Sequence, residues 1–132
     1  MKRLTVFLLG GALLLAMTGC GNQQASGGIQ ISPAQLSKGD TLTITVTDFT
    51  GKYDRAPWVG ILDTDQQFTK EVDADEHDIW YATLYEDDHG PYQIVIGEDV
   101  ELEPGRYGVV LTDTDDDDGV VLAFTQFEVI AD

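Results

Sequence analysis

The chain has 132 residues and one cysteine, and 24 acidic residues against seven Lys and Arg give it a formal charge of −17 at pH 7. One domain fits that length and two do not, and a lone cysteine leaves no internal disulfide. Nucleic acid and bare anionic lipid are poor partners, because phosphate binding needs clustered Lys and Arg, whereas divalent cations, a basic partner or a salty medium would relieve the self-repulsion.

The first nineteen residues stand apart from the fold. Lys2 and Arg3 precede an apolar stretch from Leu4 to Ala16, shorter than the roughly 20 residues a spanning helix needs. It ends in Met17-Thr18-Gly19-Cys20, which resembles the lipobox of bacterial lipoproteins, with Met17 in place of the commoner Leu. The resemblance implies cleavage after Gly19, acylation of Cys20 by palmitate-type chains and attachment to a membrane. It also gives a reason for an unpaired thiol in an exported protein. An uncleaved anchor and a plain secretory signal are the alternatives. Two or three acyl chains hold a protein firmly where one is marginal, since each buried methylene contributes about 0.8 kcal/mol. Once Lys2 and Arg3 are removed, five basic residues face all 24 acidic ones, a charge of −19. Such acidity fits cation binding or a halophilic source. Residues 20–28 carry the small, polar run Gly21 to Gly28 and read as a flexible tether. Gly21, where retention at an inner membrane commonly uses Asp, favours the outer membrane if the cell has two, and otherwise the extracellular face of the plasma membrane.

From residue 29 to 132 the hydrophobic period is two. Ile29-Gln30-Ile31 reads as a short strand closed by Pro33. Thr41 to Thr47 alternates Leu42, Ile44 and Val46 against four threonines and is the clearest strand of the chain. Five further strands are predicted over Trp58 to Leu62, Ile79 to Tyr85, Tyr92 to Ile96, Tyr107 to Thr112 and Val120 to Ile130. Turn residues separate them at Lys38-Gly39-Asp40, Asp88-His89-Gly90-Pro91, Glu103-Pro104-Gly105 and Asp118-Gly119. No segment has the caps and period of an amphipathic helix. Seven short strands in about a hundred residues form the pattern of an all-β, antiparallel, immunoglobulin-like sandwich. In Pro104-Gly105-Arg106-Tyr107 the tyrosine has the placement of a tyrosine corner, so Tyr107 is expected to be structural, and Trp58 to pack beneath the two sheets. Ile44, Val46, Val109, Leu111 and Phe127 would complete a core that no disulfide staples.

Ile31-Ser32-Pro33, Gly39-Asp40, Trp58-Val59-Gly60-Ile61, Trp80-Tyr81, Pro104-Gly105-Arg106-Tyr107, Leu111, Asp118-Gly119 and Phe127-Glu128-Val129 together resemble the immunoglobulin-like modules of bacterial extracellular proteins, and distantly the SKICH domain. The likeness spans most of residues 29–130 and implies a non-catalytic accessory module. Pro57 stands where that pattern has Asp, Leu62 where it has Tyr, and its short hairpin is replaced by Asp113-Thr114-Asp115-Asp116-Asp117-Asp118-Gly119.

That acidic run is the most suggestive constellation. Calcium takes six to eight oxygens at about 2.3–2.6 Å, and Asp113, Asp115, Asp116, Asp117 and Asp118 could supply several. The spacing misses an EF-hand, because the glycine falls one place late, at Gly119, and Thr125 occupies the frame-shifted position of the bidentate Glu. An irregular calcium site and a solvated hairpin tip both remain open. A second acidic group, Asp73, Asp75, Glu76, His77 and Asp78, lies across a predicted strand from Glu86 to His89 and reads as exposed loops, with too few His and Cys for a transition metal. On that strand Ile79, Tyr81, Thr83 and Tyr85 share one face, and Trp80, Ala82 and Leu84 the other. If the tryptophan side is core, Tyr81 and Tyr85 become an exposed pair, a platform for sugar or peptide or ordinary surface residues. No nucleophile elbow, spare cysteine or zinc-protease motif is present. The expectation is a membrane-anchored, non-enzymatic module for protein interaction or envelope structure, requiring no cofactor; calcium-dependent and carbohydrate-binding modules are the alternatives.

Overall fold

The computed structural model describes residues 25–131. Cys20, its lipobox and the start of the tether lie outside them. Eight strands form two facing sheets: β1 (Gly28–Ser32), β2 (Gln35–Leu36), β3 (Thr41–Thr47), β4 (Trp58–Leu62), β5 (Asp78–Thr83), β6 (Tyr92–Val95), β7 (Gly105–Thr112) and β8 (Val121–Val129). One sheet has the order β1-β3-β6 and the other β2-β8-β7-β4-β5. All seven expected strands are present, and the two-layer sandwich is the fold.

Three features depart from the sequence reading. The eighth strand, β2, has only two residues, too few for alternation to show. It pairs with β8 in parallel, Gln35 opposite Glu128 and Leu36 opposite Val129, so the sandwich is not wholly antiparallel. The chain leaves β1 at Ser32, crosses to the other sheet and keeps its direction, which brings it alongside β8. A one-turn helix, α1 (Glu71–Asp75), sits in the excursion between β4 and β5; one turn is too short to carry a helical period. Ser26 and Gly28, assigned to the tether by composition, belong to the domain. Gly28 pairs with Thr47, and the Ser26 N–H donates to Thr50 Oγ1 at 3.0 Å.

The inter-sheet core follows the predicted alternation. Leu42, Ile44, Val59, Ile61, Ile94, Val109, Leu111 and Phe127 are buried there, with Val46 and Trp80 packed at its margin. Each such side chain contributes about 1.5–3 kcal/mol. Tyr107 donates its hydroxyl to the carbonyl of Glu103 and stacks on Phe127 with centroids 5.6 Å apart, the geometry of a tyrosine corner.

Trp58 is elsewhere. It is buried, yet it points away from the facing sheet, into a second apolar cluster with Leu62, Ala74 and Val110, bordered by Phe68, Val121 and Phe124. All five residues of β4 are buried, because Val59 and Ile61 face the main core while Trp58 and Leu62 face this one. Residues 63–77 roof it over. The roof is fastened at one end by the Asp63 N–H to the His77 carbonyl at 2.9 Å and by His77 Nδ1 to Asp63 Oδ1 at 2.8 Å, and His77 stacks on Phe68. At the other end Val121 N–H donates to Thr69 O at 2.9 Å. Gly60 lets the indole lie across the strand, since a Cβ there would come within 2.6 Å of its ring.

Candidate functional site

The displacement of Trp58 to the outer cluster creates the polar concavity of the molecule. Its indole Nε1–H donates to Glu71 Oε2 at 3.0 Å, and the Glu71 side chain is almost wholly enclosed, with the residue 2% exposed. Burial raises the Glu71 pKa, the indole bond opposes that rise, and the neighbouring charges of Asp75, Asp115 and Asp117 add to it. Trp58, Asp75, Asp78, Tyr81, Thr83 and Asp115 line a cleft of about 280 Å³ beside this pair. Tyr81 meets the Trp58 ring edge-on, with centroids 6.3 Å apart. Asp78 is also pushed up, chiefly by burial and then by Asp75. The cleft thus joins two aromatic rings to the carboxylates of Asp75, Asp78 and Asp115. A cation placed there would meet charge and ring face together.

The acidic hairpin closes one end of the cleft, and its conformation is fixed by groups the sequence did not advertise. Thr114 is buried; its hydroxyl donates to the Arg55 carbonyl at 2.6 Å and accepts from the Asp116 N–H at 3.2 Å. The Arg55 guanidinium reaches Asp116 at 3.4 Å and Asp118 at 3.2 Å, and these carboxylates raise its pKa further. Asp113 Oδ1 accepts the Val120 N–H at 2.9 Å. Gly119 is forced by packing, because a Cβ would lie 2.6 Å from Thr114 and 3.0 Å from Glu71.

The five carboxylates proposed for calcium are therefore divided. Asp116 and Asp118 turn to Arg55, Asp113 to its own hairpin and Asp115 to the cleft, while Asp117 is exposed on the hairpin. Among the described residues no three His, Cys, Asp or Glu side chains gather in an arrangement that could hold a metal ion. Asp75 and Asp78, read as ordinary loop residues, are instead cleft walls. Tyr81 and Tyr85 are exposed, at 61% and 57%, while Trp80 and Ala82 pack against the core, so the tryptophan side of β5 is the inner one. The two tyrosines do not act as a pair: Tyr81 belongs to the cleft, and Tyr85 lies beyond the end of β5, in the turn bridged to Asp88. Glu71, Arg55 and Thr114 were missed. The only local hint was an arginine among acidic residues, and the contacts themselves span 13 to 63 positions.

A larger, shallower depression of about 630 Å³ lies along β8 and the start of β2. Its charged groups are already engaged, Arg106 with Asp65 and Gln126 and Glu128 with Gln35, which leaves the acidic-aromatic cleft as the site with unspent charge. No helix among the described residues is long and apolar enough to cross a membrane. No protein-family model matches the chain, and no curated protein matches it.

Proposed function

We propose that the chain is an exported lipoprotein, acylated on Cys20, whose β-sandwich is a non-catalytic interaction module that takes a cationic side chain of a protein partner into the Trp58–Tyr81 cleft. One observation carries the reading: Asp75, Asp78 and Asp115 converge on two aromatic rings in a domain whose acidic residues far outnumber its basic ones. A guanidinium or ammonium entering the cleft would give Asp78, which is raised chiefly by burial and secondarily by Asp75, an opposite charge. The resemblance to immunoglobulin-like modules of bacterial extracellular proteins supports a binding role. The lipobox supports attachment to the cell envelope, at the outer membrane where two membranes exist and at the outer face of the plasma membrane otherwise.

Two experiments test the two halves. Mass spectrometry of the native protein reads acylation at Cys20, and an unmodified amino terminus removes the anchor. Titration with lysine-rich and arginine-rich peptides at low salt, followed by tryptophan fluorescence, reads the cleft. Binding should weaken at least about tenfold in Asp75→Asn/Asp78→Asn, a loss of about 1.4 kcal/mol. Equal binding by that variant sinks the cleft assignment.

A further inference from the structure

The described chain begins at a particular pole of the sandwich. Ser26 is tied to Thr50 by two hydrogen bonds, Ser26 N–H to the Thr50 side-chain Oγ1 at 3.0 Å and Thr50 N–H to Ser26 O at 2.9 Å. Thr50 belongs to the loop between β3 and β4. Phe49 of that loop packs on Tyr53 with centroids 5.3 Å apart, and Tyr53 stacks on His89 of the β5–β6 connection at 6.1 Å. Two residues further on, Arg55 holds the β7–β8 hairpin through Asp116 and Asp118. Residues 48–56, 86–89 and 113–118 therefore gather at the pole where the chain arrives from its amino terminus. They carry ten acidic residues against Lys52 and Arg55. The opposite pole holds the Lys38–Asp40 turn, joined to Ile96 by the Gly39 N–H at 2.8 Å, with residues 97–99 and the Glu103–Pro104 turn. The eight residues of β7 separate the poles by about 26 Å at roughly 3.3 Å per residue.

From Cys20 to Ala25 there are five residues, which reach at most about 18 Å even fully extended. That is shorter than the domain. We infer that the acidic pole is the face the domain presents to a lipid bilayer, with the Lys38–Gly97 pole directed outward; this rests on the acylation of Cys20. The short tether and the crowd of like charges oppose each other. The tether holds ten carboxylates near the headgroups, and an anionic surface pushes them back over a screening distance of about 10 Å at 0.1 M salt. The domain stands off from anionic lipid at low salt and settles as salt rises, while neutral lipid leaves its height unchanged.

The test uses the native acylated protein carrying one added cysteine, Asp117→Cys at the acidic pole or Glu98→Cys at the other. The thiol is labelled with a donor dye and the protein is reconstituted into phosphatidylcholine vesicles bearing a headgroup acceptor. Energy transfer should be severalfold greater from position 117 than from position 98. Replacing part of the lipid with phosphatidylglycerol should lower transfer from 117 at low salt, and added salt should restore it. Equal transfer from both positions, or more from 98, overturns the orientation while leaving acylation intact. Protein that fails to float with vesicles and carries an unmodified Cys20 removes the anchor itself, and the orientation with it.

Discussion

Trp58 Nε1 lies 3.0 Å from Glu71 Oε2, joining the first residue of β4 to the first residue of α1 within an otherwise apolar cluster. The bond gives a buried carboxylate a donor and a buried indole an acceptor, and removing one partner exposes the cost of the other. Glu71→Ala should destabilise the domain by about 1–3 kcal/mol, the penalty of an orphaned buried donor plus lost packing. Glu71→Gln keeps an acceptor oxygen and deletes a charge facing Asp75, Asp115 and Asp117. The Glu71 pKa is raised on folding, so the folded state holds this proton more tightly than the unfolded one. Stability from it is present in acid and is lost as pH rises through the folded value. The Gln variant should therefore melt higher than the parent at pH 8, and the gain should vanish towards pH 4. Thermal melts at the two pH values decide, and a gain independent of pH would assign the effect to packing.

The acidic hairpin is held more by a hydroxyl than by ion pairs. Arg55 pairs with Asp116 and Asp118 across exposed surface, where such pairs contribute about 0–1 kcal/mol and are screened by salt. The Thr114 hydroxyl is enclosed and makes two bonds. Thr114→Val, matched in shape, should cost about 1–3 kcal/mol, more than Arg55→Gln, and the order should persist in high salt. Chemical denaturation of the two variants with and without salt measures it.

Tyr92 carries the opposite lesson. Its hydroxyl is buried and has no partner among the described residues, and burial with the nearby charge of Asp88 pushes its pKa up to about 12. A buried hydroxyl without a bond costs more than it returns, so Tyr92→Phe should raise stability by about 1 kcal/mol while keeping the edge-on contact with Trp80. A lower melting temperature would mean that the hydroxyl has a water partner.

The fold was legible wherever one face of a strand is dry and the other wet. β3 shows it directly: Leu42 and Ile44 are fully buried between threonines. The same reasoning misplaced Trp58. An uninterrupted apolar strand is buried on both sides, and the sequence contains no mark distinguishing the facing sheet from a roof made by residues 63–77. That roof is irregular, polar and fastened by contacts such as Asp63 with His77 and Gln126 with Asp65, which no local period encodes. The cleft was illegible for the same reason. Its carboxylates come from α1, β5 and the β7–β8 hairpin: the roof brings Asp75, and the pairing of β4 with β5 and β7 brings Asp78 and Asp115, to one tryptophan.

Salt provides a last discriminating measurement. Two effects compete as ionic strength rises: the Arg55 and Arg106 pairs weaken, and the mutual repulsion of 24 acidic residues weakens too. The pairs are few and exposed, each contributing about 1 kcal/mol or less, whereas the repulsion acts over the whole surface and destabilises the compact state. Repulsion should dominate, so the melting temperature should climb steadily between roughly 0.01 and 1 M salt as the screening length falls from about 30 to 3 Å. Asp75→Asn/Asp78→Asn removes two of the crowded cleft charges and should melt higher than the parent at low salt, with the difference closing at high salt. A melting temperature that falls with salt would show that the ion pairs outweigh the repulsion, and would remove the argument that the cleft is short of positive charge.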